Sequence, residues 1–190
     1  SVTYGNIILI NEEGISMDFV NVSSLKNEDE LKKKIENIYS LLSNLDEMYP
    51  DFKDWFNNKV VLQLNGKKRE IITIENELTN EIMGLVILKN TEYEKKICTL
   101  KVFEEHQNKG FGRILIHKAI QFLGTTSPMI TIPVERKKEF ESLINEFEFN
   151  LEESHDYYRQ GKPEYVYNGR LTVIQNKEIA NEIQYVISVN

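Results

Sequence analysis

The chain has 190 residues, 41% of them apolar and 28% charged, with a net charge of −7. That is enough chain for one domain with a substantial core, and no apolar run is long enough for a membrane span. The acidic balance argues against a large nucleic-acid footprint, which needs a basic face, and the single cysteine, Cys98, excludes an internal disulfide. No basic segment followed by a small-residue cleavage site is visible, so a cytoplasmic location is expected.

Residues 6–10 and 17–22 read as short strands around the turn at 11–14. A helix follows, capped by Asn27 with Glu30 as capping-box partner. Its apolar stripe is Leu31, Ile35, Ile38, Leu42, Leu45 and Tyr49, and Pro50 ends it. A short helical turn at 51–58 puts Phe52, Trp55 and Phe56 on one face. Residues 59–64 read as either a strand or a helix end. After the hairpin-type turn Asn65-Gly66, residues 69–75, 81–89 and 96–103 read as an antiparallel meander. A helix at 110–123 stops at Gly124. Residues 129–134 form a strand, 137–147 a helix, and 150–158 with 164–168 a hairpin around the turn at 160–163. This order fits an α+β (mixed α/β) domain, with a parallel right-handed crossover from 96 to 134. Residues 1–170 are read as one domain, and 171–190 as a C-terminal extension packed on it. The terminal apolar runs could pair with each other or with a second subunit, so a homodimer is possible.

The stretch "LKVFEEHQNKGFGRILIHKAIQFL", residues 100–123, carries the most chemistry. A helix begins with unpaired N–H groups and a partial positive charge, and anions bind there. Gly110 and Gly112 remove side chains that would keep a bulky anion away. From His106 to Val134 there is no Asp or Glu, while Lys109, Arg113 and Lys118 fall there. This island suits one small anion rather than a polyanion; its other reading is a solvated helix face. The dinucleotide fingerprint and the P-loop are both absent, since each needs glycines at other spacings.

The same stretch resembles the acetyl-CoA-binding motif of the GNAT superfamily of N-acyltransferases, V-x-P followed by Q/R-x-x-G-x-G/A opening a helix. Val102 fills the valine position, Glu104 replaces the proline, and Gln107, Gly110 and Gly112 fill the loop. The resemblance covers residues 15–168. It implies a central, mostly antiparallel sheet of about six to seven strands, with a splayed parallel pair and flanking helices. It also implies acetyl-CoA as cosubstrate. The pantetheine arm would pair with the main chain of Leu100 and Val102. The pyrophosphate would lie on the amides of Gln107, Asn108, Lys109, Gly110, Phe111, Gly112 and Arg113, and Lys109, Arg113 or Lys118 would steady the phosphates.

The implied activity is acetyl transfer to a primary amine of a small molecule or peptide. Many relatives carry a general-acid tyrosine within Y-x-x-x-G-F, but here Ile144 stands at the tyrosine position and Glu148 at the glycine position. Tyr158, ahead of Tyr157, is the substitute candidate. Cys98 is the second catalytic candidate, against a plain buried cysteine. His106 and Glu105 read as solvated loop residues. Asp46, Tyr49, Asp51 and Trp55 end the region that borders the acceptor in relatives, where acids suit a cationic amine; Trp55 reads first as a core residue. No metal-ligand pattern links the histidines with Cys98. Two rival readings are a non-catalytic acyl-CoA-binding module and a toxin that acetylates aminoacyl-tRNA.

Overall fold

The computed structural model describes residues 9–10, 16–64, 67–156 and 158–171. One sheet organises them. Its strands are β1 (Leu9–Ile10), β2 (Ser16–Asn21), β3 (Arg69–Asn76), β4 (Ile82–Asn90), β5 (Lys95–Val102), β6 (Met129–Pro133), β7 (Leu151–His155) and β8 (Glu164–Tyr167). They lie in the order β1-β2-β3-β4-β5-β6-β8-β7. The expected sheet of about six to seven strands is present, and a further two-residue strand lies outermost on β2. The expected meander is β3–β4–β5. Among the described residues only β5 and β6 pair in parallel. The final hairpin enters with β8 against β6 and β7 at the edge.

The helices are α1 (Glu28–Leu42), α2 (Leu45–Met48), α3 (Phe52–Trp55), α4 (Phe111–Leu123) and α5 (Lys137–Glu146). Asn27 caps α1 as expected, accepting from the Glu30 N–H at 3.0 Å. The single helix expected up to Pro50 is interrupted. The Ser43 hydroxyl donates to the Ser40 carbonyl (2.8 Å), which also accepts from the Ser43 N–H (3.3 Å), tightening the turn. Pro50 then holds Tyr49 extended and closes α2. Residues 59–64, left open between strand and helix, are helical: α3 continues through a π-turn (Phe56–Val60) into a 3₁₀ turn (Val61–Gln63).

The sheet carries a core on each face. On one, Ile38, Leu42, Phe52, Phe56 and Val60 pack against Ile71, Leu85 and Ile87. On the other, α4 buries Phe111, Leu115, Ile116, Ala119 and Leu123 against Ile72, Val86 and Ile97. The stripe expected from α1 to Tyr49 lies entirely in the first core. On α4, Ile114 and Phe122 are only partly buried, and Ile116 and Leu123 take the deeper positions. The turn at 11–14, the turn at Asn65-Gly66 and most of the extension lie outside the described residues.

Glu148, where relatives carry glycine, adopts φ 51°. The backbone there keeps the left-handed turn that glycine would enter at lower cost. Its neighbour Phe149 still closes onto Ile144, the N–H donating to the carbonyl at 2.9 Å.

Phe56 is fully buried where α3 meets the sheet, in tilted ring contact with Tyr39 and Phe52. Phe56→Ala should lower the unfolding free energy by about 3–5 kcal/mol, measured by urea titration.

Candidate active site

The site begins with the way β5 and β6 separate. They share two rungs, Lys96↔Met129 and Ile97↔Ile130, and then part. β5 continues to Val102 and β6 to Pro133. Each stays held on its outer side, β5 by β4 and β6 by β8. The cause is local. In the β4–β5 register Leu88 faces Ile97 and Ile87 faces Thr99, which leaves Cys98 as an extra residue. Such a bulge bends its strand and sharpens its twist, and it sits directly after the last shared rung. Residues 98–102 consequently have no partner strand on the β6 side.

The opening is a cavity of about 460 Å³. Its lining takes Cys98, Thr99 and Leu100 from β5 and Ile130–Pro133 from β6. Tyr49, Asp51 and Trp55 come from the α2–α3 region, Phe140 from α5, and Tyr158 from the β7–β8 connection. Trp55 and Cys98 belong to one core and Leu100 and Phe140 to the other, so the cavity passes between the two faces through the splay.

At the closed end, the Lys96 ammonium donates to the Tyr158 hydroxyl at 2.9 Å and lies 5.0 Å from the ring centroid. Burial disfavours the Lys96 charge. The Tyr158 oxygen, Cys98 and Glu94 outweigh it and hold the ammonium above the ordinary lysine range, so Lys96 stays cationic at neutral pH. Arg69 donates to the Cys98 sulfur at 3.3 Å and stacks over Trp55 at 5.5 Å. Across the cavity, the Tyr49 hydroxyl donates to Glu164 at 2.8 Å. Burial, then the Glu164 charge and hydrogen bond, push the Tyr49 phenol well above the usual tyrosine range, which leaves it a neutral donor. Arg159 lies over the Tyr49 ring and donates to Glu135 at 2.5 Å.

Beyond the open edge of β5 comes the glycine loop. Gly110 caps α4 at φ 80° and ψ 0°, a left-handed conformation that suits glycine. The first intrahelical bond of α4 runs from the Ile114 N–H to the Gly110 carbonyl (3.2 Å), so the N–H groups of Phe111, Gly112 and Arg113 have no helical acceptor. At Gly112 an added Cβ would come within 3.3 Å of Leu143 Cδ1. These observations fit an anion on the backbone, with corrections. The Gln107 N–H already donates to the Glu104 carbonyl (3.2 Å), which narrows the expected cradle to Asn108 onward. The Gln107 side-chain amide donates to the Val102 carbonyl (3.1 Å), which removes that carbonyl from pairing with a ligand. Arg113 is engaged by Glu146 at 2.6 Å, and Lys118 lies 4.5 Å from the Phe19 ring centroid.

Of the residues singled out by sequence, Cys98, Leu100, Tyr49, Asp51, Trp55 and Tyr158 meet at this cavity. Asp46 does not: it accepts from Tyr39 at 2.7 Å. Tyr157 lies outside the described residues. His106 is not a solvated loop residue. It packs over Phe111, and its Nε2 lies 2.8 Å from Glu81, with Glu105 beside them. Sequence reading missed Arg69, Lys96 and Glu164, because only the strand register brings them to the cavity.

The acetyltransferase (GNAT) family profile matches residues 32–127, half of the chain. The chain belongs to this family. A putative GNAT acetyltransferase from Desulfovibrio desulfuricans shares the fold at a TM-score of 0.57 and 14% identity, over 80% of this chain and 96% of that one. Mutant forms of the spermidine/spermine N-acetyltransferase SpeG from Vibrio cholerae align at 0.54 and 18% identity, over 85% of this chain and 98% of theirs. A nourseothricin acetyltransferase aligns at 0.46 and 15% identity; the match covers 53% of this chain and only 63% of that one. A search of curated proteins finds no match.

Arg159, through its hydrogen bond, holds the Glu135 carboxyl below the usual carboxylate range. The stability this contributes is present above the unfolded glutamate value, about 4.3, and is lost as pH falls through the lower folded value. Glu135→Gln should therefore flatten the acid limb of a melting-temperature profile between about pH 5 and pH 2.

Proposed function

We propose that the chain is an N-acetyltransferase that moves an acetyl group from acetyl-CoA to a primary amine. The observation that carries this reading is the β5–β6 splay, which ends in a glycine-capped helix start. An extended ligand arm can add as a strand along the open edge of β5, at Leu100 and the Val102 N–H. The amides from Asn108 to Arg113 then receive the diphosphate. When bound, acetyl-CoA supplies an activated acyl thioester.

The remaining work falls to the chain's own residues. The two faces of the cavity separate the roles: the α4–α5 side holds the coenzyme, and the α2–α3 side, with Tyr49, Asp51 and Trp55, holds the acceptor. Tyr158 stands at the closed end of the splay, the region a thioester reaches when the arm lies along β5. Its Oη holds the proton that a departing thiolate needs. Lys96, donating to that oxygen, fixes its position. Tyr158 thus takes the part of the tyrosine that Ile144 replaces. Cys98 shapes the site through its bulge; its sulfur accepts from Arg69, and it is not needed as a nucleophile.

Two experiments test the reading. Calorimetry should detect acetyl-CoA binding, and Gly110→Asp and Gly112→Asp should each abolish it by placing a carboxylate among the loop amides; binding equal to the parent would refute the loop assignment. Tyr158→Phe should keep acetyl-CoA affinity while thiol release in an amine panel falls at least about 100-fold. Binding without any turnover by the parent would instead favour the non-catalytic module.

A further inference from the structure

Three cations share one rung of the sheet. Arg69 on β3 faces Lys89 on β4, and Lys89 faces Lys96 on β5. Directly opposed residues project from the same side of a sheet, and like charges so placed repel. All three line the cavity. Lys89 is neutralised by Glu94. The other two have no such partner: among the described residues no carboxylate lies within ion-pair distance of Arg69 or Lys96. Among the described residues Arg69, 7% exposed, donates only to the Gln63 side-chain amide oxygen and the Cys98 sulfur. Lys96, 6% exposed, donates only to the Tyr158 hydroxyl. A buried charge with no ion-pair partner in contact is costly; the Glu94 charge supports Lys96 only from beyond ion-pair distance. Two such charges in one row, facing an open cavity, are best explained by an anion that arrives with the substrate.

The carboxylates that do line the cavity do not answer for them. Glu94 is held by Lys89 and Glu164 by Tyr49, while Asp51 is exposed. The coenzyme diphosphate does not answer for them either, since its cradle begins at Asn108, at the far end of β5. The row lies instead beside Cys98 and Tyr158, where the reaction takes place. Arg69, planar and with several donors, matches a carboxylate. Its contact with Cys98 puts a carboxylate bound there within a short reach of the thioester.

We propose that the acceptor is a small amine bearing a carboxylate close to the amine, as in a free amino acid, and that Arg69 and Lys96 bind that carboxylate. This deepens the acetyltransferase reading and rests on it. It adds a carboxylate to the cationic amine that the acids of the acceptor region, Asp46 and Asp51, were expected to suit.

The test compares free amino acids with their primary amides, and with spermidine, as acceptors in a thiol-release assay, alongside acetyl-CoA calorimetry. The acids should be preferred over the amides by at least about tenfold in kcat/KM. Arg69→Gln should raise KM for the acid by about 10–100-fold and erase the preference, with acetyl-CoA affinity unchanged. Arg69→Lys should retain part of it. Should Arg69→Gln fail to fold, Lys96→Gln reads the same acid-to-amide ratio. Equal use of acids and amides, or use of spermidine alone, by a protein that binds acetyl-CoA overturns the proposal and leaves the acetyltransferase reading intact. Failure to bind acetyl-CoA overturns that reading first.

Discussion

Two parallel strands that stop pairing after two rungs set the terms for this protein. Peptide groups inside a protein need partners, so a strand edge left open in the middle of a sheet is a demand for something to complete it. The extra residue at Cys98 opens the edge, and the flanking pairs with β4 and β8 keep the strands from collapsing onto each other. The cavity, the junction between the two cores and the route from the closed end to the glycine loop all follow from that divergence.

Electrostatics then divides the opening. At the loop end the N–H groups at the start of α4 have no helical acceptor, while Arg113 pairs with Glu146 and Lys118 lies over the Phe19 ring. At the closed end it comes from the side chains of Arg69 and Lys96, buried and without carboxylate partners among the described residues. Across the cavity, Tyr49, Glu164, Arg159 and Glu135 form a connected polar group that ties α2 to the final hairpin. On the proposed reading, donor N–H groups at one end and two cations at the other suit a ligand pair with negative charge at two separate places.

The chain also shows how a family feature can be lost in sequence and kept in geometry. Ile144 and Glu148 break the Y-x-x-x-G-F pattern, yet Glu148 still takes the left-handed turn. A phenol still stands at the splay, contributed by Tyr158 from the connection between β7 and β8. On the proposed reading, the site is defined by where β5 and β6 part, not by which element brings the hydroxyl.

The sequence alone determined most of what is local. The Asn27 cap, the α1 stripe, the meander from 69 to 102, the glycine-capped helix and the stop at Gly124 all depend on neighbours within a few residues, and they stand where the pattern put them. The loop motif carried the family, and Tyr158, Tyr49 and Trp55 were visible as candidates. Tertiary structure decided what depends on register. It placed the bulge at Cys98, turned Arg69, Lys89 and Lys96 into one row, took the Gln107 N–H and the Val102 carbonyl out of use, and packed a half-buried His106 over Phe111. Alternation along a strand says which residues share its face; which residue of the next strand stands opposite is fixed only when the turns and both cores have packed.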